Sequence, residues 1–159
     1  MLRVGIGQDS HRFLIDKKKP LILGGVEFEK EQGFESNSDG DVIIHALCNA
    51  LEQAIGGQSF SGYADEMCER GIVDSVEYLE VALENIFEKG YEVNNIGISI
   101  EAKKPKIDPM VNRIKQKLAE IMKISEDLIG ITATSGEELT AFGRGEGIQV
   151  LVIVSLIKK

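Results

Sequence analysis

Cysteine is scarce. The 159-residue chain has two, Cys48 and Cys68, and they form no Cys-x-x-Cys pair. That excludes a disulfide framework and a structural zinc finger. Proline is nearly as rare, with three residues and no Pro-rich linker. A single domain over residues 1–159 is therefore expected. The longest apolar run, Val150–Val154, is far short of the ~20 residues that a spanning helix needs. The N-terminal residues have no basic stretch followed by an apolar run and a cleavage site. The expectation is a cytoplasmic protein with no membrane partner. Positive charge is also in deficit: 18 Lys and Arg stand against 26 Asp and Glu, for a net charge of -8. Phosphate backbones need a basic stripe, so no nucleic-acid partner is expected. Histidine occurs only at His11 and His45, which makes each position informative.

What is present is an ordinary globular mixture, 43% hydrophobic and 28% charged, enough for a proper core. Three helices are read from 3.6-residue periodicity. The first runs from about Asp41 to Ile55, with Ile44, Leu47, Leu51 and Ile55 on one face and Ser38 or Asp39 as its cap. The second runs from about Ser75 to Lys89 and stops at Gly90; the third opens on Asp108-Pro109. Strands are expected at Leu2–Gly7, Leu21–Phe28, Asn95–Ala102, Ile129–Thr134 and Ile148–Ile157. The last is apolar on both faces, so it is either central or covers an interface between copies. Gln58–Ile72 has no clear period and reads as a long polar loop. The fold class is α/β (α+β), a mixed sheet of four to five strands with helices on one face.

Several clusters carry chemistry. Asp9 and His11, two apart in extended chain, point the same way. His45 lies on the first helix, one turn after Asp41. An Asp with two His has the ligand count of a metal site that leaves a position open for substrate. The alternative is two locally satisfied histidines. Asn37-Ser38-Asp39-Gly40-Asp41 is an anion site at a helix start or an acidic capping turn. Lys103, Lys104 and Lys106 form a short basic loop that suits a diphosphate or a solvated turn. Thr134 and Ser135 offer hydroxyls to phosphate, and Glu137 offers a carboxylate to Mg²⁺. Gly143-Arg144-Gly145-Glu146-Gly147 lacks the Lys-Ser/Thr ending of a P-loop.

In order along the chain, five blocks carry a family pattern. They are Asp9-x-His11, Leu21-Ile22-Leu23-Gly24-Gly25-Val26, Ser38-Asp39-Gly40-Asp41-Val42-x-x-His45-Ala46-Leu47, Ala102-x-x-Pro105-Lys106 and Gly143-Arg144-Gly145-Glu146-Gly147. The chain resembles the 2-C-methyl-D-erythritol 2,4-cyclodiphosphate synthases, as a divergent member. Where the family carries His and Asp, this chain has Asn37 and Ser59. The resemblance implies a homotrimer around a three-fold axis, with active sites between subunits. It implies conversion of 4-diphosphocytidyl-2-C-methyl-D-erythritol 2-phosphate to the cyclic diphosphate and CMP, in non-mevalonate isoprenoid synthesis. It implies Zn²⁺, or another divalent ion, on Asp9, His11 and His45, and Mg²⁺ or Mn²⁺ on the diphosphate beside Glu137. Lys106 and Glu137 would join the three ligands as catalytic residues. Ser38, Asp41, Asp65, Ala102, Lys106, Ile107, Thr134, Ser135 and Arg144 would bind the substrate. The departures also suit a paralogue acting on another CDP-polyol, or a metal- and nucleotide-binding trimer without catalysis.

Overall fold

The structure, a computed structural model, describes residues 1–159. Its elements follow in the order β1 (Leu2–Arg12), β2 (Leu21–Leu23), β3 (Val26–Phe28), α1 (Val42–Ala54), α2 (Ser61–Glu69), α3 (Ser75–Glu88), β4 (Tyr91–Glu101), α4 (Val111–Met122), β5 (Ile129–Thr134) and β6 (Gly147–Lys158). Short 3₁₀ turns at Asp108–Met110 and Glu126–Leu128 flank α4. The main sheet has four strands in the order β1-β6-β4-β5, mixed because β4 and β5 run parallel while the other pairs are antiparallel.

Side-chain alternation decides which face of the sheet is covered. On β6, Ile148, Val150, Val152, Val154 and Leu156 are buried, as are Ile96, Ile98 and Ile100 on β4. These residues meet the helices, which lie on that one face. Burying each such side chain is worth about 1.5–3 kcal/mol. The opposite face carries the exposed Val4, Ile6, Leu151 and Ile153. Strand β6 is thus central and also apolar toward solvent.

Four expectations are corrected. Strand β1 runs five residues beyond the expected Gly7, because its ladder with β6 continues through His11 and Arg12. Asp9 and His11 therefore sit in the strand, not after it. Leu21–Phe28 is no single strand but a separate hairpin, β2–β3, turning on Gly24 and Gly25, both at positive φ. The loop expected over 58–72 contains α2, anchored by Phe60, Ala64 and Met67 at helical spacing. Its exposed polar majority hides that stripe. The cap of α1 is Asp41, not Ser38 or Asp39.

Asp41 also joins the hairpin to α1. Its carboxylate accepts from Gly24 N at 2.9 Å, Gly25 N at 2.7 Å and Ile44 N at 3.1 Å. Full burial pushes this carboxyl up to about 6, against the pull of those N–H donors and with Asp39 adding to the rise. A folded value above the usual 3.8 means that the folded state binds the extra proton. The group's contribution is full below about pH 4 and is lost as pH rises through about 6. Two units correspond to roughly 3 kcal/mol. In denaturant titrations, Asp41→Asn should flatten this part of the pH profile while lowering stability at every pH.

Candidate active site

Strand alternation turns Asp9 and His11 to the helix-covered face, and the first turn of α1 brings His45 against them. The Asp9 Oδ2 atom lies 3.2 Å from His11 Nε2 and 3.1 Å from His45 Nδ1, and the two ring nitrogens are 3.2 Å apart. Three donors that share one ion at about 2.0–2.1 Å in tetrahedral array are separated by about 3.3 Å. The triangle therefore fits a divalent metal. Its donors are one carboxylate oxygen and two imidazole nitrogens, which suits zinc and several of its neighbours. Desolvation pushes the Asp9 carboxyl up, but the hydrogen bonds and charge of the two imidazoles outweigh it and hold it below its usual value. Asp9 is thus an anion at neutral pH, as a ligand must be.

Sequence reasoning missed what orients His45. With Nδ1 turned to the triangle, the ring proton belongs on Nε2, which donates to Ser75 Oγ at 2.7 Å. Ser75, fully buried at the start of α3, donates in turn to Asp39, and its N–H reaches Asp39 Oδ2 at 2.9 Å. Such outer partners fix the tautomer and raise ligand basicity. Phe60 and Tyr78 pack around the same ring, with centroids 5.0 and 6.2 Å away. No spacing rule links residue 75 to residue 45, so only the Asp39 end of this relay lies in a segment that the sequence singles out. Ser75→Ala should weaken metal affinity by about 10–100-fold with little change in fold, measurable by competition with a chelating dye.

The other predicted residues divide sharply. Ser38 is half-buried, its Oγ 3.4 Å from His45 Nε2, the ring nitrogen that also meets Ser75. Asp41 is corrected: it is completely buried and its oxygens are taken by backbone N–H groups, so it cannot bind substrate. Asp65 is exposed on α2. Ala102 and Ile107 are buried, leaving only their backbone for a ligand, whereas Lys106 is exposed. Thr134, Ser135 and Glu137 are exposed at the end of β5, where Ser135 Oγ donates to Glu137 Oε1 at 3.3 Å. Arg144 is exposed and pairs with Glu146 at 3.3 Å; Glu146 also pairs with Arg12 at 3.2 Å.

One chain does not bring these groups together. Asp9 pairs with Val150, Val150 with Ile100, and Ile100 with Ala133. The triangle and the 134–137 segment thus sit at opposite edges of one four-strand rung, about 14 Å apart at normal strand spacing. Beside the triangle, one turn further along α1, is an open cleft of about 790 Å³. Gln8, Asn49, Gln53, Gln58, Ser59 and Ser61 supply its amides and hydroxyls, and no charged side chain lines it. Such a lining suits neutral hydroxyl groups.

The chain is similar to known proteins over essentially its whole length. A model of the YgbB family matches residues 2–157. A 2-C-methyl-D-erythritol 2,4-cyclodiphosphate synthase of Chlamydia trachomatis is 47% identical over 158 residues, covering 98% of this chain and 88% of its own. The enzyme of that name from Chlamydia felis is 42% identical over 158 residues, covering 98% and 89%. The bifunctional IspDF of Campylobacter jejuni superposes with a TM-score of 0.91 at 32% identity; this chain is fully covered and spans 43% of that protein. IspF of Plasmodium falciparum, solved as a CDP complex, gives 0.87 at 28% identity, with 99% and 97% covered. Identity at these levels corrects the expectation of a divergent member: the departures at Asn37 and Ser59 are local.

Proposed function

The chain belongs to the YgbB family, and from that premise we infer that it is a 2-C-methyl-D-erythritol 2,4-cyclodiphosphate synthase, a lyase of isoprenoid synthesis. One observation carries the reading most directly: a ready-made triangle of Asp9, His11 and His45 in a chain nearly half identical to enzymes of that name. In the reaction, the 2-phosphate oxygen of the CDP-methylerythritol phosphate forms a bond to the β-phosphorus. The bond from that phosphorus to the bridging oxygen of the α-phosphate breaks, and CMP leaves with the electron pair. The attack is intramolecular, so positioning and charge neutralisation supply most of the acceleration and no protein nucleophile is needed.

Asp9, His11 and His45 would hold zinc or a similar ion, and Glu137 would hold Mg²⁺ or Mn²⁺. These ions, when bound, neutralise developing charge on the phosphate oxygens. Ser38 then faces the phosphates from the α1 side. Thr134 and Ser135 donate hydroxyls to the diphosphate, and Lys106 with the Ala102–Ile107 backbone holds the cytidine end. Because one rung separates Asp9 from the 134–137 segment, a complete site needs the β5 edge of one copy beside the β1 edge of another. Exposed apolar side chains such as Val4, Ile6 and Ile153 on the uncovered sheet face favour such association. A homotrimer joins both features, and the protein is placed in the cytoplasm. No helix is long and apolar enough to cross a membrane.

The test is incubation with the CDP-methylerythritol 2-phosphate, Zn²⁺ and Mg²⁺, followed by phosphorus NMR. Equimolar CMP and cyclic diphosphate are expected from a species sedimenting at three chain masses. Absence of both products with either Mg²⁺ or Mn²⁺ would reject the assignment. Turnover of another CDP-polyol in preference would establish the paralogue instead.

A further inference from the structure

The stretch from Glu35 to Asp41 has no helix or strand, yet it delivers Ser38 and Asp39 to the site. A distant lysine holds it. Lys19 Nζ donates to Ser36 Oγ at 2.7 Å, to the Ser36 carbonyl at 3.2 Å and to the Ser38 carbonyl at 2.5 Å. An ammonium has three protons, and these three acceptors occupy them. Lys19 therefore has no donor left for a substrate, and two of its acceptors are main-chain oxygens of the site segment.

The lysine is itself anchored. Its carbonyl accepts from Gly33 N at 2.8 Å, and Glu35 N donates to Arg12 O at 2.9 Å. A Cβ on Gly33 would stand 2.6 Å from the Lys19 carbonyl oxygen, so the close approach requires glycine. One end of this bracket is thus tied to the end of β1, the strand of Asp9 and His11. The other end holds Ser38, and the next residue, Asp39, closes the hydrogen-bonded line through Ser75 to His45.

We propose that Lys19 is a positioning residue: its ammonium clamps the Ser36–Ser38 backbone and thereby sets the Ser38 hydroxyl at His45 Nε2 and the Asp39 carboxylate on Ser75, the partner of that same ring nitrogen. The proposal rests on the reaction assigned above. It makes Lys19, which no catalytic pattern in the sequence singles out, a determinant of substrate binding without substrate contact.

Lys19→Met keeps the stem and removes the donors; Lys19→Arg restores charge and donors. In Lys19→Met, KM should rise about tenfold, the scale of one lost charge-assisted hydrogen bond, with kcat within about twofold. Amide exchange at residues 36–40 should quicken at least about tenfold while α1 remains protected and Tm moves little. Lys19→Arg should recover most of both effects. Wild-type KM and wild-type exchange in Lys19→Met would overturn the proposal. So would a general rise in exchange that includes α1 together with a fall in Tm, which would make Lys19 a stability residue only. The exchange measurement needs no substrate. An inactive wild-type protein would therefore reject the assigned reaction, while exchange would still decide the role of Lys19.

Discussion

Replacing His45 with alanine should lower turnover by at least about a thousandfold and abolish tight binding of a divalent ion. A bound metal that neutralises phosphate charge supplies several kcal/mol to the transition state, and each 1.4 kcal/mol is tenfold. The variant leaves Asp9 and His11 with one nitrogen donor between them and strands the hydroxyl of Ser75, which His45 Nε2 meets at 2.7 Å. The stability loss should be modest, because His45 packs at the rim of the core between Phe60 and Tyr78 and not at its centre. Isothermal titration with Zn²⁺ and a thermal melt in excess chelator separate the two effects. Chelator-treated wild-type protein should match the variant in turnover and recover on adding metal, whereas the variant should not recover. A variant within tenfold of wild-type turnover would remove the triangle from the reaction.

The second large effect is expected far from any polar chemistry. Gly5 and Gly7 lie on the buried face of β1, directly under α1. A Cβ at Gly7 would fall on the Ala46 carbonyl oxygen and stand 2.5 Å from Ala50 N; at Gly5 it would stand 2.6 Å from Ala54 N. These are backbone atoms of a hydrogen-bonded helix, so no side chain can turn aside. Gly7→Ala must push α1 off the sheet, costing about 3 kcal/mol or more of the 5–15 kcal/mol typical of a domain. For a chain of this length that lowers Tm by roughly 6–12 °C. Because His45 rides on α1 and Asp9 and His11 on β1, the same displacement should also weaken metal binding. Gly62→Ala is the control: nothing lies within 4 Å of its Cβ position, so Tm should hold or rise slightly. An unchanged Tm in Gly7→Ala would mean that the close packing of helix on strand is not what joins the two halves of the triangle.

Legibility in the sequence followed the range of the interactions. Period-two alternation on β4 and the 3.6-residue stripes of α1 and α3 are written in neighbouring residues, so the two helices emerge nearly at their observed bounds, while β4 begins four residues before the expected Asn95, at Tyr91. Helix α2 was hidden because it buries only one side, at Phe60, Ala64 and Met67, and fills the rest with polar groups. The extension of β1 was hidden because Gln8 to Arg12 are polar and are held by the ladder to β6 rather than by burial. Asp41 is the least legible: the cap is expected at Ser38 or Asp39 and the resemblance implies a substrate contact for Asp41, and only its burial against Gly24 and Gly25 and its bond from Ile44 N make it the cap.

By itself the sequence determined three of the four helices, the strand segments of a mixed sheet and the family pattern, and it brought Asp9, His11 and His45 forward as a candidate ligand set. The elements follow from periodicity, the candidate ligands from scarce residue types, and the family from its resemblance in five ordered blocks. Only the tertiary structure decided that Ser75 supports His45 across 30 positions, that Lys19 clamps Ser36–Ser38, and that Asp9 and Ala133 stand at opposite ends of one rung. The reason is physical. Local preferences are encoded within a few residues, whereas such contacts exist only after α1 has settled on Gly5 and Gly7 and the strands have chosen their order.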